Sequence, residues 1–149
     1  MFFRSDLTPE EARWSFLLGK LSQHASQSDF LMAVTLWEPA TLALVTQYSV
    51  VMKPAEKLED FFCLHYGDAI QERFGVDFTG KTFADIPEFE QIRHSLDAFR
   101  LVAIHRTPHI CRVSRSQRDP KGVDYTRILF PIVKDGVTTM VIGAMLFLN

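Results

Sequence analysis

The first clear periodicity along the chain is helical. Thr8, Pro9 and Glu11 supply an N-cap, a proline at the first helical position and a capping-box glutamate. Trp14, Leu17, Leu18 and Leu21 then recur on one face, which predicts a helix over about residues 9–24 that is polar around the rest of its circumference. Its apolar stripe must lie on this domain's own sheet or on a partner's helix. Ser28 and Asp29 punctuate the chain, and "FLMAVTLWEPATLAL" follows, with Pro39 ending or restarting a helix. The run Ala43–Met52, "ALVTQYSVVM", is rich in β-branched and aromatic residues and predicts a strand. After the charged loop "KPAEKLED", residues 61–66 predict the next strand, with Phe61, Cys63 and His65 on one face and Phe62, Leu64 and Tyr66 on the other.

Downstream, "DAIQERF" predicts a short helix opened by Asp68 and closed by Gly75, and Gly80 serves a turn. Asp85, Ile86 and Pro87 start a helix over about 88–105, in which Phe89, Ile92, Leu96, Phe99 and Ala103 form an inward stripe until "HRTPH" ends it. Three strands are predicted at about 109–116, 123–133 and 137–148. Asp119, Pro120, Lys121 and Gly122 suit the first connection, and Asp135-Gly136 is a hairpin signal for the second.

Two stretches carry a family resemblance. In "HYGDAIQERFGVDFTGKTFADI", the positions Tyr66, Gly67, Phe74, Gly75, Asp77, Thr79, Gly80 and Lys81 resemble the pattern of the PAS-like family found as stand-alone proteins in alphaproteobacteria. "LFPIVKDGVTTMVIGAM" is similar to that family's final strand and Asp-Gly hairpin. The similarity covers about residues 30–149; at Gln27, Ser28 and Asp29 the chain departs from the family's Pro-x-Arg-x-Asp segment. The resemblance implies an α+β fold: a PAS-like five-stranded antiparallel sheet with helices packed on one face, residues 30–149, and an additional N-terminal helix within an extension, 1–29. Physically, the 66–81 motif is architectural before it is chemical. Gly75 and Gly80 permit backbone conformations that a Cβ penalises, and Asp77 and Thr79 can bond nearby backbone groups.

Composition removes several function classes. A chain of 149 residues with 47% apolar content and 13 phenylalanines fits one packed domain. A net charge of −2 sets up no field for a nucleic acid. Two cysteines are too few for a disulfide framework and fit a reducing compartment. With no signal-peptide pattern in "MFFRSDLTPEE" and no apolar run of bilayer length, a cytoplasmic location without membrane insertion is expected.

Candidate chemistry is sparse. Cys63-x-His65 with His109-x-Cys111 has the side-chain types of a closed zinc site, but a PAS topology puts those strands at opposite sheet edges, about four spacings of ~4.8 Å apart. No metal site is expected. His94 stands where some haem-binding PAS domains carry an axial ligand, although helical histidines are ordinarily surface or core residues. Between Arg93 and Arg127 there are eight Lys or Arg against three Asp, which reads as a solvated edge or as a docking site for an acidic protein face or a phosphorylated ligand. Phosphate loops and nucleophile elbows are absent from the sequence.

Together the residues and the resemblance imply a non-enzymatic sensory or regulatory module that binds a small ligand, a partner signalling protein, or both. Phe61, Cys63, His65, Ile92, Leu96 and Phe99 are the expected ligand-binding residues. Trp14, Leu17, Leu18, Leu21, Arg112 and Arg115 are the expected contacts for a homodimer or partner. Two rivals remain: a small cavity enzyme using His65 as acid or base, and a ligand-free interaction scaffold.

Overall fold

Five strands, β1 (Ser49–Pro54), β2 (Phe61–Tyr66), β3 (His109–Val113), β4 (Tyr125–Lys134) and β5 (Val137–Phe147), pair antiparallel in the order β2-β1-β5-β4-β3. With its helices this is a PAS-like α+β fold. The computed structural model describes residues 6–34, 37–85, 92–113 and 125–147. The expected helix start at 86–91, including Phe89, the turn at 119–122, and Arg115 lie outside the described residues, as does the side chain of Ile92.

Helices cover both faces of the sheet. On the outer face lie α1 (Pro9–Gln27), α2 (Phe30–Val34) and α3 (Pro39–Tyr48); on the inner face lie α4 (Asp68–Phe74), a 3-10 turn at Phe83–Asp85, and α5 (Ile92–His105). The additional N-terminal helix, α1, thus lies with α2 and α3 on the face opposite the layer of α4 and α5. Strand β4 explains why: Tyr125 through Ile132 are all buried, so neither of its faces can be left to water. Tyr125 and Leu129 join the inner core, while Ile128, Phe130 and Ile132 join the outer one.

Helix α1 begins as its sequence dictates. Glu11 N–H donates to Thr8 Oγ1 (3.1 Å) and Thr8 N–H donates to Glu11 Oε1 (2.9 Å), which closes the capping box. The Glu11 carboxylate does more than cap. Arg112 donates to it through Nη2 (2.6 Å) and Nε (3.0 Å), and the Thr126 hydroxyl donates at 2.8 Å, so one carboxylate ties α1 to β3 and β4. These bonds, that of Arg112 first, hold its pKa at about 2, against burial that opposes the shift.

Two expectations fail for identifiable reasons. Residues 43–48, read as strand, form the second half of α3. Pro39 nucleates this helix in its first turn, Val45 is buried on the outer face, and the Thr46 hydroxyl bonds back to the Leu42 carbonyl at 2.7 Å. Packing against the sheet overrides the β-branched preference. In β2 the alternation breaks at a bulge, because Val51 faces His65 while the next residue, Met52, faces Cys63. Leu64 is the extra residue, so Phe61, Cys63 and Tyr66 turn inward and His65 turns outward.

The glycines and Asp77 of the 66–81 motif shape the backbone. Gly67 permits close approach, since a Cβ there would stand 2.2 Å from the Gln47 carbonyl oxygen in α3. Gly75 (φ 75°) closes α4 in the left-handed conformation, and Gly80 (φ 78°) makes the next turn. Asp77 Oδ1 accepts from Thr79 N–H at 2.9 Å. The turn then grips β2: Gly80 N–H donates to the Cys63 carbonyl (2.8 Å) and Cys63 N–H donates to the Lys81 carbonyl (2.9 Å).

Two stability predictions follow from these contacts. Gly67→Ala drives a methyl into the α3 backbone and is expected to cost about 1–3 kcal/mol, read by urea unfolding. The Glu11 carboxyl titrates lower in the folded chain than its usual value near 4.5. Its contribution is therefore complete above that pH and is lost as pH falls toward about 2. Glu11→Gln should lower stability at pH 7 by about 2 kcal/mol and flatten the acid limb of a melting-temperature profile; an unchanged acid limb would refute the assignment.

Candidate functional site

Between the inner face of the sheet and the layer formed by α4, the 3-10 turn and α5 lies a cavity of about 30 Å³, lined by Val50, Met52, Tyr66, Phe74, Phe78, Phe83, Ser95, Phe99, Tyr125 and Met145. That is room for one or two waters in this conformation. Its walls are aromatic and interlocked. Tyr66 meets Phe78 at 5.4 Å between ring centroids, Phe74 meets Tyr125 at 5.4 Å and Phe83 meets Phe99 at 6.0 Å. These rings come from β2, the 66–81 motif, α5 and β4, elements that meet only in the folded chain.

Of the expected ligand residues, Phe99 lines the cavity. Phe61 and Cys63 are fully buried just behind it, with Phe61 packed on Phe99 at 5.7 Å, and Leu96 is a half-buried neighbour of the same core. Burial raises the Cys63 thiol pKa to about 12, so this cysteine behaves as a small apolar residue. His65 is not in the cavity. The bulge turns it to the outer face, where Nε2 meets the Thr46 carbonyl oxygen at 2.8 Å beside Leu64 and Ser49. Tyr66 takes the inward place, which removes the geometry required by an acid–base role for His65 in this cavity.

The expected partner residues are also committed within the chain. Trp14, Leu18 and Leu21 are at most 3% exposed and pack with Ile128, Phe130 and Ile142 on the outer face; Leu17 packs beside them. A homodimer contact cannot use this stripe without unpacking α1. Arg112 is half-exposed but clamps Glu11 and contacts Asp6 Oδ2 at 3.4 Å.

Sequence reading overlooked the most unusual group in this region, Arg127. The residue is 0% exposed near the start of β4, on the same face as Tyr125 and Leu129. Nη1 stands 3.4 Å from Ser95 Oγ, Nη2 stands 3.4 Å from His94 Nδ1, and Nε has no hydrogen-bond partner. Desolvation first, and the Arg127 charge second, lower the pKa of His94; since a guanidinium only donates, Nδ1 is the acceptor in this contact. Burial likewise raises the phenol of Tyr125 against the opposing pull of Arg127. The available signal was a lone arginine inside an apolar strand, "YTRILFPIV".

Haem ligation by His94 does not fit this arrangement. Its Nδ1 is directed at Arg127, and a cavity of about 30 Å³ is an order of magnitude too small for a macrocycle. Cys63 and Cys111 stand on β2 and β3, the two opposite edges of the sheet.

No protein-family model matches the chain, and no curated protein matches it. Among solved structures, a similar chain is described as "Crystal structure of sensory box sensor histidine kinase from Vibrio cholerae". It is 14% identical, with a TM-score of 0.49, over 83% of this chain and 98% of that one.

Proposed function

We propose that the chain is a sensory or regulatory module that admits a small molecule to the aromatic cavity and transmits its presence through α5 to a partner protein. The observation that carries this reading is the unequal anchoring, among the described residues, of α5 beside the cavity. The second half of the helix is pinned: Arg100 donates to the Leu58 and Glu59 carbonyls, each at 2.7 Å, and the Thr138 hydroxyl donates to the Ala103 carbonyl at 2.7 Å. Just past its end Arg106 donates to the Gly136 carbonyl at 2.6 Å. The first half meets β4 through the 3.4 Å contacts of His94 and Ser95 with Arg127.

A molecule larger than one or two waters has to displace something, and the weakly bonded half of α5 is the part that yields. The helix then pivots about its pinned end. Leu101 and Ile104, exposed on α5, supply an apolar surface whose position reports that displacement.

Val50→Ile tests the cavity by filling it. At ~24 cal/mol per Å³, closing the void is expected to raise stability by up to about 0.7 kcal/mol. The same change should diminish the response to indole, used as a small aromatic probe. In the unsubstituted chain, indole should alter hydrogen exchange at the 94–99 amides more than at 100–105. A bare native mass spectrum, together with exchange rates indifferent to indole, would instead favour a filled-core scaffold.

A further inference from the structure

Arg127 carries a full positive charge into a site with 0% exposure, and among the described residues no carboxylate reaches it. A guanidinium has five N–H donors, and charge-assisted bonds to them run at about 2.7–2.9 Å. The contacts of its terminal nitrogens with Ser95 Oγ and His94 Nδ1 are 3.4 Å long, the Tyr125 phenol is a further uncharged neighbour, and Nε has no partner. Leaving a buried cation this poorly paired is destabilising unless something compensates it. The cost has a location. Ser95, Tyr125 and Met145 line the cavity, and Arg127, which does not itself line it, contacts the first, is the same-face neighbour of the second along β4 and is the cross-strand partner of the third on β5.

We propose that the part of the cavity wall beside Arg127 is an anion subsite, in which Arg127 and the Ser95 hydroxyl bind the carboxylate of a small organic acid whose apolar body lies among the aromatic rings. This deepens the ligand-binding reading and rests on it. A monoanion is the matching charge, because the cavity wall here offers one guanidinium. A carboxylate accepts two parallel N–H bonds from the guanidinium fork, including the one from Nε that is unmet. Bound there, it shortens the contacts between β4 and the first half of α5, so the charge of the ligand, rather than its bulk alone, is what α5 registers.

The test compares isosteres on the intact chain. Sodium benzoate and sodium acetate are titrated against benzamide and acetamide, with sodium chloride at matched ionic strength as the inorganic control. The carboxylates are expected to raise the unfolding temperature by about 3–6 °C at tenfold excess over Kd and to shift the Arg127 Nε–H resonance; the amides and chloride are expected to do neither. Arg127→Met should abolish the carboxylate response while unfolding, without ligand, at or above the temperature of the unsubstituted chain. If that variant does not fold, Ser95→Ala decides, with a severalfold weaker benzoate response expected and an unchanged one counting against the site. Equal responses to benzoate and benzamide overturn the anion subsite and leave the ligand-binding reading intact. A chloride response equal to that of the carboxylates overturns it in favour of a simple counter-ion site. No response to any of these compounds, with indole also inert, removes both readings.

Discussion

Burial of the central strands from both sides is the constraint on which the rest of the structure depends. Strand β4 is closed to solvent from Tyr125 to Ile132, and β5 from Val141 to Leu146. Every side chain on those strands must therefore be matched by a helix on one face or the other. The outer helices satisfy this with mixed aliphatic and aromatic packing and an ionic clamp, Glu11 with Arg112. The inner helices satisfy it with phenylalanines, and leave unresolved one charge and a small void. A difference in packing quality between two faces of one sheet thus separates scaffold from candidate site.

That division also explains what the sequence could reveal. Local signals were sufficient wherever a residue acts on its immediate neighbours: the Thr8–Glu11 box, the left-handed Gly75 and Gly80, and the Asp135-Gly136 hairpin, whose φ values of 53° and 76° suit the tight turn. They were insufficient wherever tertiary contacts set the geometry. Residues 43–48 have strand composition but lie in a helix because the outer face of the sheet receives Val45. Strict alternation put His65 with Cys63, and one bulged residue, Leu64, reversed it. No rule of spacing announces such a bulge.

The candidate site was legible only in part for the same reason. Phe61, Cys63, Leu96 and Phe99 follow from the inward stripes of β2 and α5, and the structure brings them to one core. Phe74, Phe78 and Phe83 reach that core through the turns of the 66–81 motif, where periodicity gives no guide to direction. Arg127 stood in plain view as a charge within an apolar run, yet its meaning depends on what faces it. Only the fold shows that α5 offers a serine and an imidazole where an arginine would ordinarily meet an acid.

The grip of the 80–81 turn on β2 has a consequence for the behaviour of the chain in crowded solution. β2 is an edge strand carrying the exposed side chains of Phe62 and Leu64, the kind of border along which another copy can add itself and begin a fibre. By occupying both main-chain groups of Cys63, the glycine turn denies a newcomer the middle of that border. The same few residues that steer the chain from sheet to helix thereby act as its guard against self-association.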